Sequence, residues 1–383
     1  MTQLTDTPVP ARPQPVVAAD RITNLDTIRG VAVLGILVMN AVSYGLHPAA
    51  YFNLDAAGSN DWLDWTFGVL GEVFVDQKTM ALFSMLFGAG IVLFSDRAAA
   101  KQARPVRLAM WRNALLLLIG FLHSLLWDGD VLIVYAACAP VLIALRRVQP
   151  RVLLTVGTGL VLWSAALAAI VQTAVPADGD GLGEYWLTDG SAMSDAVGIF
   201  LLNDFFARAL GMMLIGVAIY RLGVLHGDRP ASFYRSMARW GLGVGLPLAV
   251  GGVVLQAAYG FEPRIAVIGE APNTLATIPI ALGYIGVISL WNRRSRGALI
   301  GRVQAAGRMA LTNYLGQTVI GIALLRGLFE PDDLDRTWVA LFVVAVWMLQ
   351  LAWSKPWLAR FRYGPAEWLW RSATYRRLQP IRR

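Results

Sequence analysis

The chain has a single cysteine and three histidines in 383 residues. One thiol, Cys138, excludes a disulfide framework and a cysteine-ligated metal. Charge is also scarce. Asp, Glu, Lys and Arg make up 15% of the residues, against roughly 25% in soluble domains. No P-loop, dinucleotide fingerprint, His-Glu-x-x-His or Gly-x-Ser-x-Gly occurs. The commonest soluble nucleotide, zinc and serine chemistries therefore have no foothold, and neither a metal nor a resident cofactor is expected. The first twenty residues carry Pro and Ala but no apolar signal-peptide core. A short disordered cytoplasmic tail is expected over 1–20, with no cleaved leader.

What the chain has in abundance is apolar length. Hydrophobic residues make up 56%, and mean hydropathy is +0.54. About 20 apolar residues cross a ~30 Å hydrocarbon core as a helix. Ten such stretches are readable: Ile28–Tyr44, Thr79–Phe94, Met110–Leu126, Val131–Leu145, Val152–Val175, Val197–Tyr220, Trp240–Tyr259, Thr274–Trp291, Ala305–Leu325 and Trp338–Trp353. An amphipathic stretch from Trp62 to Val75 reads as an interfacial helix before the second span.

Loop charge alternates between these stretches. Loops after even-numbered spans hold Arg97, Lys101, Arg104 and Arg107, then Arg146, Arg147 and Arg151, then Arg221 to Arg239, then Arg293 to Arg308. Loops after odd-numbered spans are acidic, with Arg264, Arg326 and Arg336 as their few cations. Basic residues stay on the cytoplasmic side. The expectation is an all-α polytopic transmembrane bundle of about ten spans over 21–355, in a bacterial inner membrane, both termini cytoplasmic. A basic aromatic tail over 356–383, with Trp357, Trp368 and Trp370, suits the inner surface. A sequence pI near 9.9 then reflects orientation and anionic lipid contact, not nucleic-acid binding.

Ionisable residues at membrane depth each need a reason. His123 ends the third span, and Asp128 and Asp130 follow in the tight hairpin Trp127-Asp128-Gly129-Asp130. A carboxylate that accepts one ring N–H raises the basicity of the imidazole, so this group suits a general base. The plainer reading is a capping Asp beside an interfacial His. Lys78 is either a snorkelling partner of Asp76 or a cation facing a cavity. Asp204 and Arg208, spaced i, i+4, can neutralise each other or bind substrate. Asn313 and Gln317 share one helix face, as interhelical glue or as substrate contacts. Asn40 is a further polar group in the first span. Arg29, at the inner start of that span, either anchors it or binds phosphate, and Arg308 is a second phosphate candidate. Gly88 and Gly90 are read as close-packing sites.

Several blocks together resemble the YeiB-like bacterial membrane proteins. They are Leu25-Asp26-Thr27-Ile28-Arg29-Gly30 with Asn40, Lys78 through Gly90, His123 with Trp127-Asp128-Gly129-Asp130, and Gly211-Met212-Met213-Leu214-Ile215-Gly216. Gly307-Arg308-Met309-Ala310-Leu311-Thr312-Asn313-Tyr314-Leu315 with Gln317, and Gly364-Pro365 with Glu367-Trp368-Leu369-Trp370-Arg371, complete the set. The Leu-x-x-x-Arg-Gly opening is also similar to membrane-embedded acyltransferases. That resemblance implies acyl-CoA as cytoplasmic co-substrate and an envelope sugar, lipid or small amine as acceptor. Sugar O-acyltransferases carry a His eleven positions after the Arg. Here that position is Asn40, so an imidazole would have to come from His123. Two classes stay open: an acyltransferase, or a transporter or non-catalytic membrane protein. Convergence of His123, Asp128 and Asp130 with Lys78 and Asn313 on a pocket reaching Arg29 favours the first. Polar groups lining a central path favour the second.

Overall fold

A computed structural model describes residues 22–100, 104–295, 297–330 and 333–383. The tail expected over 1–20 lies outside them, as do Lys101, Arg296 and Asp332. Among the described residues the chain forms thirteen helices and no strand. They are α1 (Thr23–Gly45), α2 (Trp62–Phe74), α3 (Lys78–Ala100), α4 (Pro105–Ser124), α5 (Leu132–Leu145), α6 (Pro150–Gln172) and α7 (Asp195–Arg221). Then come α8 (Ala231–Ala258), α9 (Ala271–Arg294), α10 (Ala298–Arg308), α11 (Ala310–Gly321), α12 (Arg336–Arg360) and α13 (Pro365–Tyr375).

The starts of these helices follow from local chemistry. Proline opens α4, α6 and α13, where its missing N–H costs nothing. Asp61 caps α2, accepting from the amides of Leu63 and Asp64, and Asp335 caps α12 through Trp338 N–H.

Eight helical segments among the described residues are long and apolar enough to cross a membrane, and the chain is an all-α polytopic bundle. Two of the ten expected spans depart from that form. The fourth, α5, has 14 residues. The ninth is not one helix. It breaks at Met309 into α10 and α11, and ends in a π-turn over Ile322–Arg326.

α1 and α3 lie centrally, and α4, α6, α8 and α12 turn broad apolar faces outward. Exposed Leu118, Trp163, Val254 and Met348 suit contact with lipid, not a water-facing surface. Close helix crossings set the core. Gly30 of α1 lies against the Val303 carbonyl of α10, and Gly307 lies against the Asp26 carbonyl, so that crossing admits no side chain. Gly88 meets the Met213 backbone as a close-packing site should. Gly90 has open space beside it and lines a cavity instead.

Candidate functional site

The cavity has a volume of about 480 Å³. Its walls come from α1, α3, α4, the start of α5, the α10–α11 junction and α13. Among the described residues five arginines line it, Arg29, Arg97, Arg112, Arg308 and Arg371, with one carboxylate, Glu367. A smaller adjoining cavity of about 180 Å³ shares Arg29, Arg97, Arg308, Glu367 and Arg371 and adds Arg362 and Tyr363. Beyond these cations the wall turns apolar, through Phe83, Phe87 and Leu116 to Leu132 and Tyr314. The charge sits where α1 and α4 begin, and the apolar part reaches towards the start of α5.

Glu367 closes part of the charged end. Its Oε1 accepts from the Leu311 and Thr312 amides at 2.7 and 3.1 Å, and its Oε2 accepts from the Thr312 hydroxyl at 2.5 Å. It thus caps α11 where the ninth span breaks. Burial pushes its carboxyl above the ordinary range, and the hydrogen bonds pull the other way. Trp370 N–H donates to the Arg112 carbonyl at 2.9 Å, and Trp111 N–H donates to the Ala373 carbonyl at 3.1 Å. These bonds hold α13 against α4.

At the apolar end the hairpin between α4 and α5 carries the pair anticipated from sequence. His123 Nδ1 lies 2.9 Å from Asp130 Oδ1, and both side chains are buried. The Tyr314 hydroxyl, from α11, donates to the same oxygen at 3.0 Å. Tyr314 itself forms cavity wall, with its ring centroid 5.3 Å from that of His123. His123 Nε2 and Asp130 Oδ2 are buried and have no hydrogen-bond partner. With Asp130 accepting from Nδ1–H, the free lone pair is on Nε2. Asp128 is exposed and takes no part. Trp127 is buried and packs its ring against Gly129, which turns residue 128 outward.

The other polar residues go elsewhere. Lys78 is fully buried, and its ammonium donates to the Glu72 carbonyl and to Asn273 Oδ1. Asn273 Nδ2 donates to Glu72 at 2.6 Å and to Asp76 at 3.0 Å. Glu270 accepts from Gln256 and Gln77. Glu72, Asp76 and Glu270 bring carboxylate oxygens within 4.8 Å of one another, the spacing of a metal-binding group. Each already accepts an amide N–H, so they form a self-contained network tying α2 and α3 to α8 and α9. Arg208 pairs with Asp204, which also accepts from Ser164 on α6.

Asn313 donates to the Ala306 carbonyl at 3.1 Å and to Ser354 at 3.3 Å. Gln317 donates to the Val33 carbonyl at 2.9 Å and to Gln350 at 3.0 Å. These amides join α10, α11, α1 and α12 across the break, as interhelical glue. Asn40 is buried on α1. Arg29 and Arg308 line the cavity, whereas His123, Asp128, Asp130, Lys78, Arg208, Asn313, Gln317 and Asn40 do not. Of the expected convergence, only the contact of the His123–Asp130 pair with the wall residue Tyr314 is met.

Comparison with known proteins places this arrangement. The chain is 33% identical over 389 residues to the uncharacterized protein YeiB of Escherichia coli (strain K12), covering 94% of this chain and 98% of that one. The chain belongs to the YeiB-like family. The uncharacterized protein YxaH of Bacillus subtilis (strain 168) is 30% identical over 409 residues, covering 96% and 98% of the two chains. An uncharacterized 39.9 kDa protein of Bacillus acidopullulyticus, from the amylase 3′ region, is 29% identical, covering 96% and 97%. A family model described as a protein of unknown function, DUF418, matches residues 219–377. In this YeiB-like chain, that segment supplies Arg308, Tyr314, Glu367 and Trp370 to the cavity, while Arg112 and His123 come from the earlier half.

Sequence reasoning about this YeiB-like protein missed Arg112, Tyr314, Glu367 and Trp370 as cavity residues. Tyr314 and Glu367 stand inside the blocks that carry the family resemblance. Their partners are 184 residues and about 55 residues away along the chain, so no spacing rule connects them.

Proposed function

We propose that this protein is a membrane-embedded acyltransferase of a bacterial inner membrane, with both termini in the cytoplasm. It takes an acyl group from cytoplasmic acyl-CoA and gives it to a hydroxyl or amine of an envelope sugar, lipid or small amine. One observation carries the reading. A buried His–Asp pair with a free imidazole nitrogen stands behind the apolar wall of a cavity whose other end is ringed by arginines.

His123 Nε2 takes the proton of the acceptor as its oxygen or nitrogen attacks the thioester carbonyl. The C–S bond then breaks. The departing sulfur takes the proton back from the imidazolium, so CoA leaves as the thiol and the acceptor is acylated. Asp130 orients the ring and stabilises its charged form. Arg29 and Arg308 line the basic end of the cavity, and in this reading they meet the anionic donor.

The test is acyl transfer by the purified protein from labelled acyl-CoA, with acceptors found by profiling lipids and glycans of a deletion strain against its complemented parent. Loss of a general base costs about 10²–10⁴ in rate. A folded His123→Ala protein that keeps full transfer activity removes His123 from the reaction.

A further inference from the structure

Among the described residues, Arg112 is the cavity arginine held between two aromatic rings, whereas Arg371 stands over one, Tyr363. Its guanidinium stands 3.7 Å from the Trp370 ring centroid and 4.8 Å from that of Phe94. Among the described residues it has no carboxylate partner. Arg29, by contrast, pairs with Asp26 at 3.5 Å. Aromatic faces stabilise a cation, but they leave its five N–H donors without good acceptors. Arg371 and Arg29 are near enough to repel it. A guanidinium held among rings, beside like charge and facing an open volume of about 480 Å³, is a built anion site.

Position along α4 says which anion. Arg112 and His123 are eleven residues apart on one helix, a rise of about 16 Å. That separation matches the pantetheine arm, which joins the diphosphate of CoA to its sulfur. The wall between them is mostly apolar, with Leu116 and Phe87, and carries one amide, Asn113. A lipid phosphate at Arg112 could lay an acyl chain along the same wall, but it would bring no thioester to His123.

We propose that Arg112, held by Phe94 and Trp370, binds the diphosphate of a CoA thioester and so measures the donor against His123. The ligand class is a diphosphate carrying a long thiol-terminated arm. This rests on the acyltransferase reading for its second half only, because diphosphate binding can be measured without turnover.

The full-length protein in nanodiscs is titrated with CoA, ADP and inorganic pyrophosphate by calorimetry. Charge-assisted contacts to a diphosphate are worth about ten- to hundredfold in affinity. Arg112→Gln is expected to lose that factor for all three ligands. Arg112→Lys keeps the charge but loses the planar fork, and is expected to recover only part of it. Arg112→Met fills the space between the rings without charge, so a protein that unfolds as Gln but folds as Met still gives the answer. Wild-type affinity in a folded Arg112→Met or Gln variant overturns the assignment. So does a wild type that binds none of the three. Retention of an anionic phospholipid through native mass spectrometry, lost on Arg112 substitution with CoA never bound, also overturns it and assigns a lipid headgroup. Arg112-dependent pyrophosphate binding in a protein that never transfers an acyl group keeps the anion site and removes the acyltransferase reading. Normal CoA binding by Arg112 variants of an active transferase does the reverse.

Discussion

At the residue scale, Asp130 Oδ1 is the atom on which the apolar end of the site converges. It accepts from both His123 and Tyr314. Asp130→Asn removes a full negative charge from beside the imidazole and offers an amide in either orientation. It should lower transfer nearly as far as His123→Ala, by about 10²-fold or more. Asp128→Asn should be silent, because that carboxylate is exposed. Steady-state rates of the two asparagine variants, measured side by side, check the pairing. Equal loss in both would mean that the carboxylates act only as a local field.

The His–Asp pair was legible because a four-residue hairpin keeps its members close. The choice between the two aspartates was not. It depends on Trp127 turning inward, which is a packing result. Lys78 was legible as a polar group at depth, but its carboxamide partner Asn273 is 195 residues away.

At the scale of elements, the broken ninth span governs the site. Met309 has φ −110° and ψ 29°, which interrupts the helix and leaves its neighbours to be satisfied by side chains. Asn313 takes up the Ala306 carbonyl, and Glu367 takes up the Leu311 and Thr312 amides. Glu367→Ala therefore removes a half-buried cap and should cost about 1 kcal/mol. Asn313→Leu strands the Trp353 N–H as well as the Ala306 carbonyl and should cost about as much again. Thermal unfolding in detergent at fixed lipid content reads both; an unchanged midpoint for Asn313→Leu would show that this amide is dispensable. The eight long apolar spans among the described residues were readable from hydropathy alone. This break was not, since its sequence carries neither proline nor a run of glycine.

At the scale of the whole molecule, the two ends of the bundle differ in charge and in what they hold. Arginines gather at one end around an open cavity. A closed network of carboxylates, amides and one lysine fastens the helices beyond it. The orientation expected from the basic loops assigns the cavity mouth to the cytoplasm. A reporter active only in the cytoplasm should be silent when fused at Asp180 and active when joined after Arg383. Activity at Asp180, or silence after Arg383, reverses the orientation and takes the cavity away from cytoplasmic CoA.

The last residues of the chain return to that mouth. Arg362 N–H donates to the Ile381 carbonyl at 2.8 Å, and Arg383 N–H donates to the Arg360 carbonyl at 3.2 Å. Arg362 and Tyr363 also line the smaller cavity. Any polypeptide joined after Arg383 thus begins beside the rim of the opening. An affinity handle placed there would crowd the entrance and tug at the segment that holds α13. A carboxy-terminal fusion that depresses ligand uptake without altering the melting point would be the signature of a blocked doorway.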